Sequence, residues 1–213
     1  MEGARYIAIE GPIGVGKTSL AELLARAMKG RVIEEQVEEN PFLKDFYSDR
    51  QKYSFQTQLF FLLSRYRQQQ ELAQCDLFNK TIISDYLFAK DRIFAYLNLD
   101  KNETDLYEQV YKTLDAKLPK PDLVIFLQAT TEVLTERVNT RNRDYEKEIK
   151  PDYLEALQQA YNDFFFHYDE TPLLVINSSE IDFVNNEGDL ELLIKEIREM
   201  KKGIKHFVPL GSI

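Results

Sequence analysis

Gly11, Gly16, Lys17 and Thr18 stand in the order and spacing of a phosphate-binding loop, Gly-x-x-x-x-Gly-Lys-Thr. Glycine admits left-handed φ values, so the backbone N–H groups of Ile13, Gly14, Val15 and their neighbours can converge on one anion. A helix starting near Gly16 adds its positive dipole end, and Ser19 lies in its first turn. Lys17 then reaches terminal phosphates, and the Thr18 hydroxyl can hold Mg²⁺. An apolar strand (Tyr6 to Ile9) precedes the loop and helix formers (Leu20 to Met28) follow it, the context this motif requires. The expected ligand is a nucleoside triphosphate.

Such a loop serves hydrolases, motors and kinases alike, so the choice among them rests on other residues. Glu35 and Asp85 each follow a β-branched run, where a carboxylate can deprotonate an acceptor hydroxyl or organise Mg²⁺. Arg137, Arg141 and Arg143 follow a later strand, and guanidinium groups there neutralise charge on a transferring phosphoryl group. With 213 residues there is no room for the switch and guanine-reading segments of a GTPase. These features together select a small-molecule kinase.

The elements that must position these groups can be read from periodicity. Strands are expected at Tyr6 to Ile9, Arg31 to Glu34, Thr81 to Ser84, Asp122 to Gln128 and Leu173 to Asn177. Between them, helices are expected at Phe42 to Tyr47 behind Pro41 and at Gln51 to Cys75, where Phe55, Leu59, Leu62, Leu63 and Tyr66 form an apolar stripe. Further helices are expected at Asn102 to Leu118 with Thr104 as cap, from Thr130 or Thr131 to Arg141, from Pro151 to Tyr168 and from Leu190 to Lys202. Arg141 to Lys150 reads as a charged loop or a lid. Alternating strands and helices imply an α/β, three-layer P-loop fold with a five-stranded parallel sheet and an arginine-rich lid at about 139–150. Ligands in such sheets lie beyond the carboxyl ends of the strands, where Glu35, Asp85 and the glycine loop fall.

Composition narrows the setting. An excess of 36 acidic over 27 basic residues argues against a nucleic-acid polymer as partner. No apolar run has the length of a membrane span, and the N-terminus runs straight into a strand rather than a signal peptide. The single Cys75 cannot form an internal disulfide and reads as a partly buried thiol, so a reducing, cytoplasmic setting is expected. No repeat or interdomain linker interrupts residues 1–213, which are expected to form one domain.

Several short motifs occur in order along the chain: the Gly11 to Thr18 loop, Glu35-x-Val37-Glu38-Glu39-Asn40-Pro41, Phe55-x-x-Gln58, Leu63-Ser64-Arg65-x-Arg67 and Arg137-x-x-x-Arg141-x-Arg143. Together they resemble the deoxyribonucleoside kinases, which phosphorylate the 5′-hydroxyl of a deoxynucleoside with ATP and Mg²⁺. Asp85-Tyr86, Leu118-Pro119-Lys120-Pro121 and Glu146-Lys147 look closest to the bacterial deoxyguanosine and deoxyadenosine kinases. The resemblance implies that Glu35 takes the 5′-hydroxyl proton, with Glu34 the alternative one register away. It also implies that Tyr47 and Glu146 bind the sugar 3′-hydroxyl, that Gln58, Arg65 and Asp91 read the base, and that Phe94 stacks on it. Asp182 and Phe183 would flank the adenine of ATP, and Thr18 and Asp85 would hold Mg²⁺. A homodimer formed by helix packing is implied as well, with the Phe55 to Tyr66 stripe compatible with it.

Two departures stand out. Where relatives often carry an acidic residue followed by Arg, this chain has Asp85-Tyr86 and so loses a cation near the reacting oxygen; Arg92 is one substitute. The spacing from Asp85 to Phe94 is also one residue shorter than in some relatives. With Asp91 in register, a carboxylate faces the exocyclic amine of adenine, and deoxyadenosine is favoured over deoxyguanosine, with deoxycytidine tolerated and thymidine rejected. Out of register, Lys90 or Arg92 faces the pocket and deoxyguanosine is favoured; the expected acceptor is a purine deoxynucleoside, with deoxyadenosine slightly ahead. The rival readings are a monophosphate kinase of thymidylate-kinase type, which needs a basic acceptor pocket where 34–39 is acidic, and an inactive nucleotide-binding subunit.

Overall fold

Apolar stretches form the central strands of a six-stranded sheet in the order β2-β3-β1-β4-β5-β6, with every pairing parallel. The strands are β1 (Tyr6–Glu10), β2 (Arg31–Ile33), β3 (Ile82–Ser84), β4 (Leu123–Gln128), β5 (Leu173–Asn177) and β6 (Ile204–Phe207). The computed structural model describes residues 6–75, 81–143, 146 and 149–208; Asp144, Tyr145, Lys147 and Glu148 of the expected lid, and the side chains of Glu38 and Cys75, lie outside the described residues. The sheet has one strand more than the five expected. β6 is an edge strand whose Ile204 is exposed beside Lys205 and His206, so it carries no apolar run to signal it.

Helices cover both faces: α1 (Lys17–Met28), α2 (Leu43–Ser48), α3 (Arg50–Cys75), α4 (Lys90–Asn98), α5 (Lys101–Asp115), α6 (Thr131–Arg141), α7 (Pro151–Phe166) and α8 (Glu187–Glu199). On one face, α1 and α8 enclose Ile7, Ile9, Ile125 and Ile176 with Leu20, Leu24, Leu193 and Ile197. On the other, Phe126 of β4 stacks against Tyr161 and Phe165 of α7. Burying both faces is why these strands read as continuous apolar runs.

Helix ends depart from expectation where a better cap exists. The side chain of Asp100, not Thr104, accepts the Glu103 N–H while the Glu103 carboxylate accepts the Asp100 N–H, and α5 starts there. Asn186 caps α8, which therefore begins before Leu190; the helix ends at Glu199, where Met200 turns extended, rather than at Lys202. Thr130 caps α6 and Pro151 opens α7. The α4 helix was not expected at all. The apolar stripe of α3 is taken up inside the chain: Leu62 is buried with Tyr107 and Tyr111 of α5, and Leu59 and Tyr66 pack against them, while Leu63 is exposed.

Candidate active site

The glycine loop between β1 and α1 owes its shape to close packing. Gly14 and Gly16 have φ of 84° and 105°, and a Cβ on Gly11 would lie 2.4 Å from the Leu127 carbonyl oxygen. The loop entrance is pinned by Glu10, a fully buried carboxylate at the end of β1. Its Oε1 accepts from the Gly11 N–H (2.9 Å) and the Tyr161 hydroxyl (3.0 Å), and its Oε2 accepts from the Leu87 N–H (2.8 Å). One side chain thus ties together the loop, the segment after β3, and α7. Its apolar strand context gave no signal of this role.

A cavity of about 1230 Å³ opens at the carboxyl ends of the strands. Ile13, Gly14, Val15, Gly16, Lys17, Thr18 and Ser19 form one wall, while Gly11 lies buried beneath it. Lys17 folds over the loop and donates to the carbonyls of Gly11 (2.8 Å) and Pro12 (3.1 Å). Burial, and then the charge of Lys90, lower its pKa to about 8. The Thr18 hydroxyl donates to Asp85 Oδ2 (2.6 Å), so a hydroxyl and a carboxylate oxygen meet at the mouth of the loop. Two oxygen donors suit Mg²⁺, which takes a minority of its ligands from protein and the rest from phosphate and water. No cluster of three or more His, Cys, Asp or Glu suited to an all-protein metal cage occurs among the described residues.

The acceptor side is built on alternating charges. Asp85 Oδ1 accepts the Glu35 N–H (2.7 Å), which fixes the backbone just past β2. The Glu35 carboxylate accepts from Arg65 Nε (2.8 Å), and also from Arg65 Nη2, through Oε1; it accepts from Lys90 Nζ (2.7 Å) through Oε2. Burial opposes its charge, but these two cations hold its carboxyl well below the usual carboxylate range. Glu34 is exposed at the cavity edge, so Glu35 is the carboxylate that faces inward among charged partners. Arg65 Nη1 in turn donates to Asp91 Oδ1, and its guanidinium lies 4.7 Å over the Phe61 ring.

Asp91 does not stand where it was expected. The first turn of α4 directs it behind Arg65, where it is 0% exposed and outside the cavity wall. Of the two alternatives, Lys90 faces the cavity, while Arg92 pairs on the other side with Glu108 (2.8 Å) and Tyr96. The cation missing from position 86 is therefore not supplied by Arg92, and Tyr86 is itself fully buried. Gln58 lines the cavity at 2% exposure, and its Oε1 has no hydrogen-bond partner among the described residues. Tyr47, Phe94 and Glu146 also line it. Tyr47 packs edge-on against Phe46 at 5.2 Å, and Phe94 against Tyr161 at 6.1 Å.

The three arginines differ in their surroundings. Arg137 braces the loop, donating to the Val15 carbonyl (3.1 Å) and to the hydroxyl and carbonyl of Ser178 (3.2 and 3.0 Å). Arg141 pairs with Glu146 through Nε (3.2 Å) and Nη2, and Arg143 lines the cavity near them. Asp182 caps its own turn by accepting from the N–H groups of Val184 and Asn185 (3.2 and 3.0 Å). Phe183 belongs to the core on the α1–α8 face, and its ring edge comes within 3.6 Å of a Cβ built on Gly16, so it is both core and cavity wall.

With this geometry in hand, comparison with known proteins is specific. The profile of the family described as deoxynucleoside kinase matches residues 7–202. A deoxyguanosine kinase of Bacillus subtilis (strain 168) is 36% identical over 207 residues, spanning 94% of this chain and 99% of that protein. A deoxyadenosine kinase of Dictyostelium discoideum is 37% identical over 205 residues, spanning 94% and 82%. The solved structure of a deoxyadenosine kinase from M. mycoides with bound dATP aligns with a TM-score of 0.79 at 25% identity, covering 92% of this chain and 100% of that one.

Proposed function

Because this chain belongs to the deoxynucleoside kinase family, we propose that it transfers the γ-phosphoryl group of ATP to the 5′-hydroxyl of a purine deoxynucleoside. The observation that carries this reading is the continuous connection from Lys90 and Arg65 to Glu35, from Glu35 to Asp85 and from Asp85 to Thr18. It joins the acceptor side of the cavity to the phosphate loop in one hydrogen-bonded unit.

In this reading the triphosphate lies along 11–19, with Lys17 leaving the Gly11 and Pro12 carbonyls for its terminal oxygens, and Asp182 and Phe183 beside its base. Mg²⁺, held by Thr18 and Asp85, would neutralise charge on the phosphoryl oxygens. Tyr47 and Glu146 hold the sugar 3′-hydroxyl, Phe94 stacks on the base, and Glu35 orients the 5′-hydroxyl in line and accepts its proton. Arg141 and Arg143, carried by a lid at about 139–150, close over the phosphates and exclude water, while Arg137 keeps the loop in shape. The reading includes one kinase domain over 1–213 and a homodimer, which sedimentation at micromolar concentration tests. No helix among the described residues is long and apolar enough to cross a membrane.

Base choice follows from what faces the cavity. Asp91 holds Arg65 through Oδ1 from outside the cavity wall, with Oδ2 lacking a hydrogen-bond partner among the described residues, so base choice here is weighed on the groups that line the cavity. Arg65 has donors only, which suit the O6 and N7 acceptors of guanine, and the buried Gln58 amide can accept from N1–H. Initial rates with ATP and Mg²⁺ across the four deoxynucleosides and their monophosphates test the whole reading. The expected order of kcat/KM is deoxyguanosine, then deoxyadenosine, then deoxycytidine, with thymidine rejected. Preference for a monophosphate acceptor would replace this reading with the thymidylate-kinase type, and a thymidine preference would overturn the pocket assignment.

A further inference from the structure

Glu35 sits between two cations that are held very differently. Arg65 is fixed from both sides, by Glu35 and by the fully buried Asp91. Lys90, the first residue of α4, is 3% exposed; among the described residues its one carboxylate partner is Glu35, and it lies 5.8 Å from the Phe94 ring centre. A flexible ammonium with a single partner can leave it, whereas a guanidinium clamped by two carboxylates cannot. Lys90 also stands close enough to the phosphate loop for its charge to depress the proton affinity of Lys17. A half-buried ammonium, Lys17, and a buried one, Lys90, thus line the same cavity as Glu35, an arrangement that favours an anion between them.

We propose that Lys90 is a further catalytic residue of the transfer, the cation that moves from Glu35 to the phosphoryl group in flight. This rests on the reading given under Proposed function. As the acceptor hydroxyl takes up its hydrogen bond at Glu35 Oε2, it displaces the Lys90 ammonium, which swings onto a γ-phosphoryl oxygen. The bond from O5′ to phosphorus forms while the bond from phosphorus to the β–γ bridging oxygen breaks. The hydroxyl proton passes to Glu35, the bridging electron pair leaves with ADP, and Lys90 stays protonated throughout. The exchange also couples acceptor binding to completion of the charge around the phosphoryl group. Without an acceptor, Lys90 stays on Glu35, which disfavours transfer to water. Lys90 thus takes over the duty that Tyr86, buried and neutral, cannot perform.

The test is Lys90→Met, Lys90→Gln and Lys90→Arg in the full chain, read by kcat, by calorimetric binding of ATP and of deoxynucleoside separately, and by binding of ADP–aluminium fluoride with deoxynucleoside present. Lys90→Met should lower kcat by about 10²-fold or more, with ATP and nucleoside affinities within about threefold of wild type. ADP–aluminium fluoride, which mimics the phosphoryl group in flight, should lose affinity in the same variant, and Lys90→Arg should recover kcat to within about tenfold. A loss of less than about fivefold in kcat, or a loss confined to nucleoside affinity with ADP–aluminium fluoride binding intact, overturns the proposal. If Lys90→Met does not bind ATP, Lys90→Gln is judged by the same limits. A wild type inactive on every deoxynucleoside would refute the proposed function, whereas an active wild type with unimpaired variants refutes the role of Lys90 alone.

Discussion

Glu35 carries its charge between Arg65 and Lys90, and that placement shapes its chemistry. A carboxylate held well below its usual range is a weak base, so it serves first by orienting a hydroxyl and takes the proton late. Phosphoryl transfer through a loose transition state asks for little more. Glu35→Gln should accordingly lower kcat by about 10²–10⁴-fold while nucleoside binding persists. It should also cost about 3 kcal/mol of stability at pH 7, because buried Lys90 loses its counter-charge and Arg65 keeps only Asp91. The sign with pH follows from the depressed folded-state pKa. The contribution is fully present above the unfolded glutamate value of about 4.3, declines as pH falls below it and is gone only below the depressed folded-state value. Urea unfolding at pH 7, 5 and 3.5 checks this: the gap between wild type and variant should hold from pH 7 to 5 and begin to narrow only at the lowest pH, and a gap independent of pH would deny the pairing. Glu35 was legible because a motif surrounds it. Lys90 was legible only as an alternative in register, because which of 90–92 faces inward depends on where α4 starts, and no helix was expected there.

The α3 helix shows how much an element can hide in its pattern. Gln58, Leu62, Arg65 and Gln69 recur at helical core spacing and all are buried, so polar groups occupy part of what reads as an apolar stripe. Polar residues at core positions mark a site face, and this signal was available in the sequence. Of the apolar stripe, α5 covers Leu62 through Tyr107 and Tyr111, while Leu63 stays exposed. At the ends of elements, Asp100 and Asn186 overrode the boundaries read from periodicity, as local caps outweigh the drift of an apolar stripe. Glu10 does comparable work between elements, joining the glycine loop, the segment before α4, and α7 through three accepted hydrogen bonds. Glu10→Ala should leave those buried donors unmet and cost about 3 kcal/mol or more. Denaturant unfolding should show a lower midpoint with an unchanged m-value. A loss below about 1 kcal/mol would mean that water replaces the carboxylate at little cost.

At the scale of the molecule, the parallel sheet was legible because strands buried on both faces are largely apolar, and β1, β3, β4 and β5 are so up to one polar residue at each carboxyl end. β6 escaped because an edge strand needs no such run. The sheet brings residues distant in sequence to one end: Glu35 after β2, Asp85 after β3, and the loop after β1. The central claim is that this end of the sheet aims a 5′-hydroxyl at the γ-phosphorus of ATP. Phosphorus NMR of the product formed with ATP and Mg²⁺ tests it most directly, comparing deoxyguanosine with its 2′,5′-dideoxy analogue. The account predicts the 5′-monophosphate from the first and no phosphorylated nucleoside from the second, which should still bind as a competitor. A phosphoryl group at the 3′ position, or any transfer to the analogue lacking the 5′-hydroxyl, would contradict it.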